Sequence, residues 1–179
     1  MRTATIVLVA YVLALVVAAM WRFMPGFTRD AIPAIGALTA AYLGHTTRPY
    51  RVPATAGAVV LGYLIDIVSG TPAGMSSLVL AMTADLGRAT QQRIFVRGAA
   101  MTIGYTAFIS VFASFARIVI GLLFGISHPR LGLELQQMAV IALATALVGP
   151  LVWRLFRRID AAYARTHRER DTRLQGLTP

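Results

Sequence analysis

The sequence lacks cysteine and lysine and has little charge of either sign. The absence of cysteine excludes a fold held together by disulfides. Charged residues make up 13% of the chain, about half of the roughly 25% found in soluble domains. Glycine has no repeating period and polarity is low, which excludes collagen-like and disordered chains. Because 57% of the residues are hydrophobic, a chain this small cannot cover a water-exposed surface, and we predict an all-α integral membrane protein.

Motifs for catalysis, cofactor binding and metal binding are also missing. His45 and His128 lie near the ends of apolar segments, without a His-x-x-x-His or Glu-x-x-His partner, so we expect no metal site. The sequence has no motif for a serine or cysteine nucleophile and no phosphate-binding glycine loop. We therefore predict no catalytic residue, no cofactor and no enzymatic activity.

Apolar segments without charge recur along the chain. They span residues 3–21, 31–47, 52–65, 67–84, 98–116 and 135–153. A helix of nineteen residues is about 28 Å long, close to the roughly 30 Å hydrocarbon core of a bilayer. Prolines fall between these segments or in their first turns, with Pro150 as the exception. We predict a six-helix transmembrane bundle, with helices at about 3–22, 32–48, 53–69, 73–91, 98–125 and 135–157.

The seventeen arginines are distributed unevenly across the predicted membrane. With six crossings, both chain ends and thirteen arginines lie on one side, three arginines lie on the other, and Arg117 lies within the fifth segment. This asymmetry fits the positive-inside rule with both termini cytoplasmic. Because membrane topology accounts for where the arginines lie, the net charge of +10 does not indicate nucleic-acid binding. We therefore predict no nucleic-acid partner. A five-helix arrangement would divide the basic segments between the two sides and ranks second.

Residues 1–165 form one predicted transmembrane domain, and residues 166–179 form a flexible cytoplasmic tail. We interpret the first segment as a retained helix, because its uncharged run is longer than the core of a secretion signal. Arg154, Arg158 and Arg165 fall near one helical face, so the sixth helix can extend along the interface and bind anionic lipids. This basic face serves either to retain the topology or to bind a cytoskeletal partner.

The most informative stretch follows the third apolar segment. Gly62, Asp66 and Gly70 recur at every fourth residue and share one helical face, where small residues allow a close approach. Pro72 and Gly74 follow, and the helix is predicted to end at Gly70. Asp66 then has two interpretations. It either makes a capping or inter-helix hydrogen bond at this break, or it belongs to a ligand site.

Arg117 interrupts the fifth segment and also has two interpretations. It is a snorkelling arginine at the end of the span, with residues 118–127 along the membrane surface, or it forms an ion pair with Asp66. Whether residues 118–127 continue the fifth helix or lie at the interface remains open.

The stretch from Leu61 to Gly87 resembles the signature region of the rod shape-determining protein MreD family. The likeness rests on the pattern Gly-x-x-x-Asp-x-x-x-Gly-x-x-x-Gly, followed by Ser76, Ser77 and Leu78. Ala73 departs from the family, which usually has a large apolar residue there. The resemblance implies a non-catalytic scaffold subunit of the bacterial cell-wall elongation machinery in the inner membrane. Its implied partners are the bitopic protein MreC, the elongation glycosyltransferase and a class B penicillin-binding protein.

The MreD family is in turn similar in fold to the substrate-binding subunits of energy-coupling-factor vitamin transporters, which gives the alternative function. Those subunits dock a transmembrane partner through an alanine pattern that Ala10, Ala14 and Ala18 match. Gly121 and Gly125 have the spacing of a close helix contact, which serves either packing within the chain or docking of MreC's helix.

Overall fold

A computed structural model describes residues 2–21, 23, 32–46, 51–91, 98–125 and 131–175, and these residues are almost entirely helical. The helices are α1 (Arg2–Trp21), α2 (Ile35–Thr46), α3 (Arg51–Ser69), α4 (Met75–Gln91), α5 (Ala99–Leu123) and α6 (Leu131–Gln175). The six helices lie at the predicted places. Within the described residues, four helical segments are long and apolar enough to cross a membrane: Arg2–Met20, Val52–Ser69, Ala100–Leu123 and Gly132–Arg165.

Two helices differ in length from the prediction. α2 has 12 residues, which corresponds to about 18 Å. α6 has 45 residues and contains Pro150 in its interior. It continues to Gln175, whereas the sequence predicts a helix to about residue 157 with a basic extension to 165. The charged residues after Arg165 are thus compatible with helix, since arginine and glutamate are good helix formers.

The short helix α2 occupies the centre of the bundle. α1 packs against α3 and α6, α3 packs against α4, α4 against α5, and α5 against α6, so that five helices enclose α2. All ten residues from Ile35 to Gly44 are buried. This follows from their composition, because small and apolar residues cover every face of α2 and leave it without a polar side.

Glycines allow α4 to approach α2 at backbone distance. A Cβ atom placed on Gly44 would lie 1.9 Å from the carbonyl oxygen of Ala84. One placed on Gly87 would lie 2.5 Å from the carbonyl oxygen of Ala41. Both distances are shorter than van der Waals contact, so only glycine permits this packing.

The outer surface of the bundle is apolar. Large aliphatic side chains project from the helices away from the core, and Leu123 and Leu147 are 81% and 79% exposed. Soluble proteins seldom expose contiguous apolar surface of this extent, whereas lipid tails solvate it. The exterior therefore agrees with the helical membrane protein that the composition predicts.

Candidate functional site

The corner between α3 and α4 is built around the carboxylate of Asp66. Thr71 donates its hydroxyl to Oδ1 at 2.7 Å, and the backbone N–H of Gly74 donates to Oδ2 at 2.9 Å. The backbone N–H of Ser76 donates to both oxygens, at 3.1 and 3.2 Å. Asp66 is 2% exposed. Its carboxylate thus satisfies N–H groups at the start of α4 that have no partner within that helix.

The glycines of this corner have distinct structural roles. A Cβ on Gly62 would lie 2.5 Å from the Cα of Ser77, so Gly62 allows α3 and α4 to approach closely. Gly70 and Gly74 have φ angles of 66° and 97°, which reverse the chain between the helices. Pro72 accepts a hydrogen bond from the N–H of Met75 at 3.1 Å. The structure therefore brings the predicted residues together at one corner.

The predicted ion pair between Asp66 and Arg117 is not formed in the described part of the chain. The oxygens of Asp66 are occupied by the hydrogen bonds of its own corner. Arg117 is exposed on α5, and α5 continues without a break to Leu123. Residues 118–123 therefore extend the fifth helix, which answers part of the question left open by the sequence.

A cavity of about 480 Å³ lies between the helices at one end of the bundle. Its walls include Ala18 of α1, Ser69 of α3 and Arg117 of α5, from the second halves of those helices. They also include the first turns of α2 and α4, and Gln137 and Ile141 of α6. Successive helices therefore run in alternating directions, and we name this end of the bundle the cavity end.

The alanine stripe of α1 faces into the protein. Ala10 is fully buried in the core, and Ala14 and Ala18 line the cavity. On α5, Gly121 is buried, whereas Gly125 lies just beyond the helix with a φ angle of 70°. Gly125 donates its N–H to the carbonyl of Leu122, as expected of a glycine that terminates a helix. Gly121 and Gly125 therefore do not form one continuous helical groove.

A polar cluster at the opposite end joins α1, α2 and α6. Nε and Nη2 of Arg2 donate to the two oxygens of Asp160, each at 2.6 Å. The hydroxyl of Tyr42 donates to Oδ2 of Asp160 at 2.5 Å. One turn further, the hydroxyls of Thr5 and Tyr163 lie 2.5 Å apart. We name Arg2, Tyr42 and Asp160 the terminal clamp, because their hydrogen bonds join α1 and α6 to the central helix α2.

The terminal clamp was not predicted from the sequence. The signal in the sequence was Asp160, the only acidic residue from 153 to 165, a segment that contains four arginines. Its partners lie 158 and 118 residues away, so no local pattern connects them. Aromatic rings surround the clamp, and Tyr42 contacts Trp153 edge to face at 5.0 Å and Phe156 at 5.2 Å between centroids.

The basic face of α6 is exposed, although the opposite face of the same segment is packed in the core. Arg154, Arg158 and Arg165 are exposed, while Phe156 is fully buried. The cationic side chains thus project from the bundle at the level of the terminal clamp. This arrangement permits contact with anionic headgroups or with another protein.

The described residues contain no group of three or more histidine, cysteine, aspartate or glutamate side chains that could hold a metal ion. Comparison with known protein families, with curated proteins and with solved structures finds no match to the chain.

Proposed function

We propose that this protein is a non-catalytic scaffold subunit of the bacterial cell-wall elongation machinery, of the MreD type. The observation that carries the proposal is that the signature stretch forms the hydrogen-bonded corner between α3 and α4. Asp66 is the acidic residue of the pattern from Gly62 to Gly74, and the hydrogen bonds at its carboxylate all come from its own corner. This use of the carboxylate supports a role in shaping a helix corner and offers no support for chemistry on a substrate.

The proposed protein crosses the inner membrane six times. α2 and α4 have 12 and 17 residues, or about 18 and 26 Å, and are shorter than the other four helices, which are long and apolar enough to cross a membrane. α2 is enclosed by protein, so it does not have to match the bilayer thickness. The alternating directions of the helices support six crossings. By the positive-inside rule, the clamp end faces the cytoplasm and the cavity end faces the periplasm.

The proposed partners are MreC, the elongation glycosyltransferase and a class B penicillin-binding protein. The end of α5 is the surface that we assign to the single helix of MreC. Leu122, Leu123 and Phe124 are 60%, 81% and 49% exposed there, next to the buried Gly121. These three exposed apolar side chains fit a hydrophobic partner helix, since packing drives association within lipid.

Co-purification tests the assigned surface. Leu123→Gln is expected to lower the amount of MreC recovered with the tagged protein in mild detergent. Leu147→Gln is the matched control, because Leu147 is equally exposed on α6. Equal recovery of MreC with both variants would contradict the α5 surface.

Depletion in the native cell tests the function itself. Loss of the protein is expected to cause rounding and failed elongation, and re-expression of the wild-type chain is expected to restore the rod shape. Cells that keep their shape after depletion would contradict the scaffold function.

The cavity favours one alternative function, a substrate-binding subunit of an energy-coupling-factor vitamin transporter. Its volume of about 480 Å³ lies within the roughly 300–1,000 Å³ of ligand pockets. The alanine stripe does not support this alternative, because Ala10 is buried and is closed to an external partner. A growth defect rescued by a vitamin, together with recovery of paired ATPases in a pull-down, would decide for transport.

A further inference from the structure

The cavity combines an apolar wall with a single charge. Aliphatic side chains such as Leu15, Val79 and Leu80 form much of its lining. Ser69, Ser76 and Ser114 are also among the lining residues. Of the described residues around the cavity, Arg117 is the one with a fixed charge, and none is an aspartate or a glutamate.

The charge of Arg117 is not neutralised by the protein described. Arg117 lies in the second half of α5 and is one of the residues that line the cavity. The carboxylate of Asp66 is held by Thr71, Gly74 and Ser76, and no described carboxylate forms an ion pair with Arg117. Two ion pairs among the described residues join Arg2 to Asp160 and Arg88 to Asp85, away from the cavity. A guanidinium beside an apolar space is stabilised by an anionic group whose oxygens accept hydrogen bonds from several of its N–H groups.

We propose that the cavity binds an anionic amphiphile, with a phosphate or carboxylate paired to Arg117 and a hydrocarbon chain along the aliphatic wall. A fully apolar ligand would leave the guanidinium without a counter-ion. A small inorganic anion would leave the aliphatic wall without contact. The inference goes beyond the scaffold function and does not depend on it. It is also distinct from the binding of headgroups at Arg154, Arg158 and Arg165, which lie at the opposite end of the bundle.

Native mass spectrometry of the full-length protein in dodecyl maltoside tests the proposal, with monododecyl phosphate as the probe. The detergent carries the same chain with a neutral headgroup and sets the baseline. Wild-type protein is expected to retain at least one dodecyl phosphate, and Arg117→Gln is expected to retain one fewer, with affinity at that site reduced about tenfold or more. Arg117→Lys keeps the charge and is expected to restore much of the binding.

A pair of neighbouring alanines provides a control that leaves the charge intact. Ala18 lines the cavity, whereas the adjacent Ala19 is exposed on α1 and does not line it. Ala18→Phe is expected to fill the space and remove the same bound molecule, while Ala19→Phe is expected to bind as wild type does. Both positions are exposed, so either variant is compatible with folding.

Three results would overturn the proposal. The first is binding of dodecyl phosphate no greater in wild type than in Arg117→Gln. The second is equal binding by Ala18→Phe and Ala19→Phe. The third is displacement of the probe by an equal concentration of inorganic phosphate. That result would show that the anion alone is recognised and that the dodecyl chain contributes nothing to binding.

Discussion

The carboxylate of Asp66 holds the start of α4, because both of its oxygens accept the backbone N–H of Ser76, at 3.1 and 3.2 Å. Asp66 lies near the end of α3, so this contact sets how the chain turns from one helix into the next. The same carboxylate accepts from Gly74, so two N–H groups of the corner depend on one side chain.

Asp66→Ala is expected to lower the free energy of unfolding by about 1–2 kcal/mol, because the first turn of α4 loses its cap. Unfolding of the detergent-solubilised protein by titration with dodecyl sulfate measures the change. Asp85→Ala is the control, since Asp85 is exposed and its ion pair with Arg88 is local, and it is expected to cost less than about 0.5 kcal/mol. Equal losses for the two variants would contradict the capping role.

The effects of Asp66→Asn and Arg117→Gln on unfolding are expected to be additive within about 0.5 kcal/mol, because the two side chains form no ion pair. The measurement is a double-mutant cycle with the same denaturation assay. A coupling free energy clearly above that value would contradict additivity and support the ion pair between Asp66 and Arg117.

Arg2→Gln and Asp160→Asn are expected to be coupled by about 1–2 kcal/mol, because each removes the same pair of charge-assisted hydrogen bonds from the terminal clamp. The single variants and the double variant are compared by unfolding. Arg154→Gln is the control for loss of one positive charge, since Arg154 is exposed. Additive losses at Arg2 and Asp160 would show that the clamp contributes no pairwise stability.

Gly44→Ala is expected to destabilise the bundle by about 2–3 kcal/mol, because its Cβ would lie 1.9 Å from the carbonyl oxygen of Ala84. Gly104→Ala has nothing within 4 Å of the added Cβ and lies inside α5. It is expected to leave stability unchanged or to raise it by about 0.5–1 kcal/mol. Equal thermal stability of both variants would contradict the close approach of α2 and α4.

The sequence was informative where the interactions are local. Charge-free segments and prolines located the helices. The hydrogen-bond partners of Asp66 lie within ten residues of it, so its capping role could be predicted from the sequence. The apolar composition of α2 on every face indicates burial, but its central place depends on five other helices and is seen only in the assembled bundle. The terminal clamp joins residues 158 positions apart, and only the assembled bundle brings them together.

The topology is the claim on which the assigned ends of the bundle depend, and the chain suits a direct test because it contains no cysteine. Single cysteines at Ala73, which is exposed near the cavity end, and at Arg165, which is exposed on the extension of α6, are to be labelled with a membrane-impermeant maleimide in spheroplasts. The six-crossing account predicts labelling of Ala73→Cys in intact spheroplasts, and labelling of Arg165→Cys only after permeabilisation. Labelling of both positions from outside, or of Arg165→Cys alone, would contradict it.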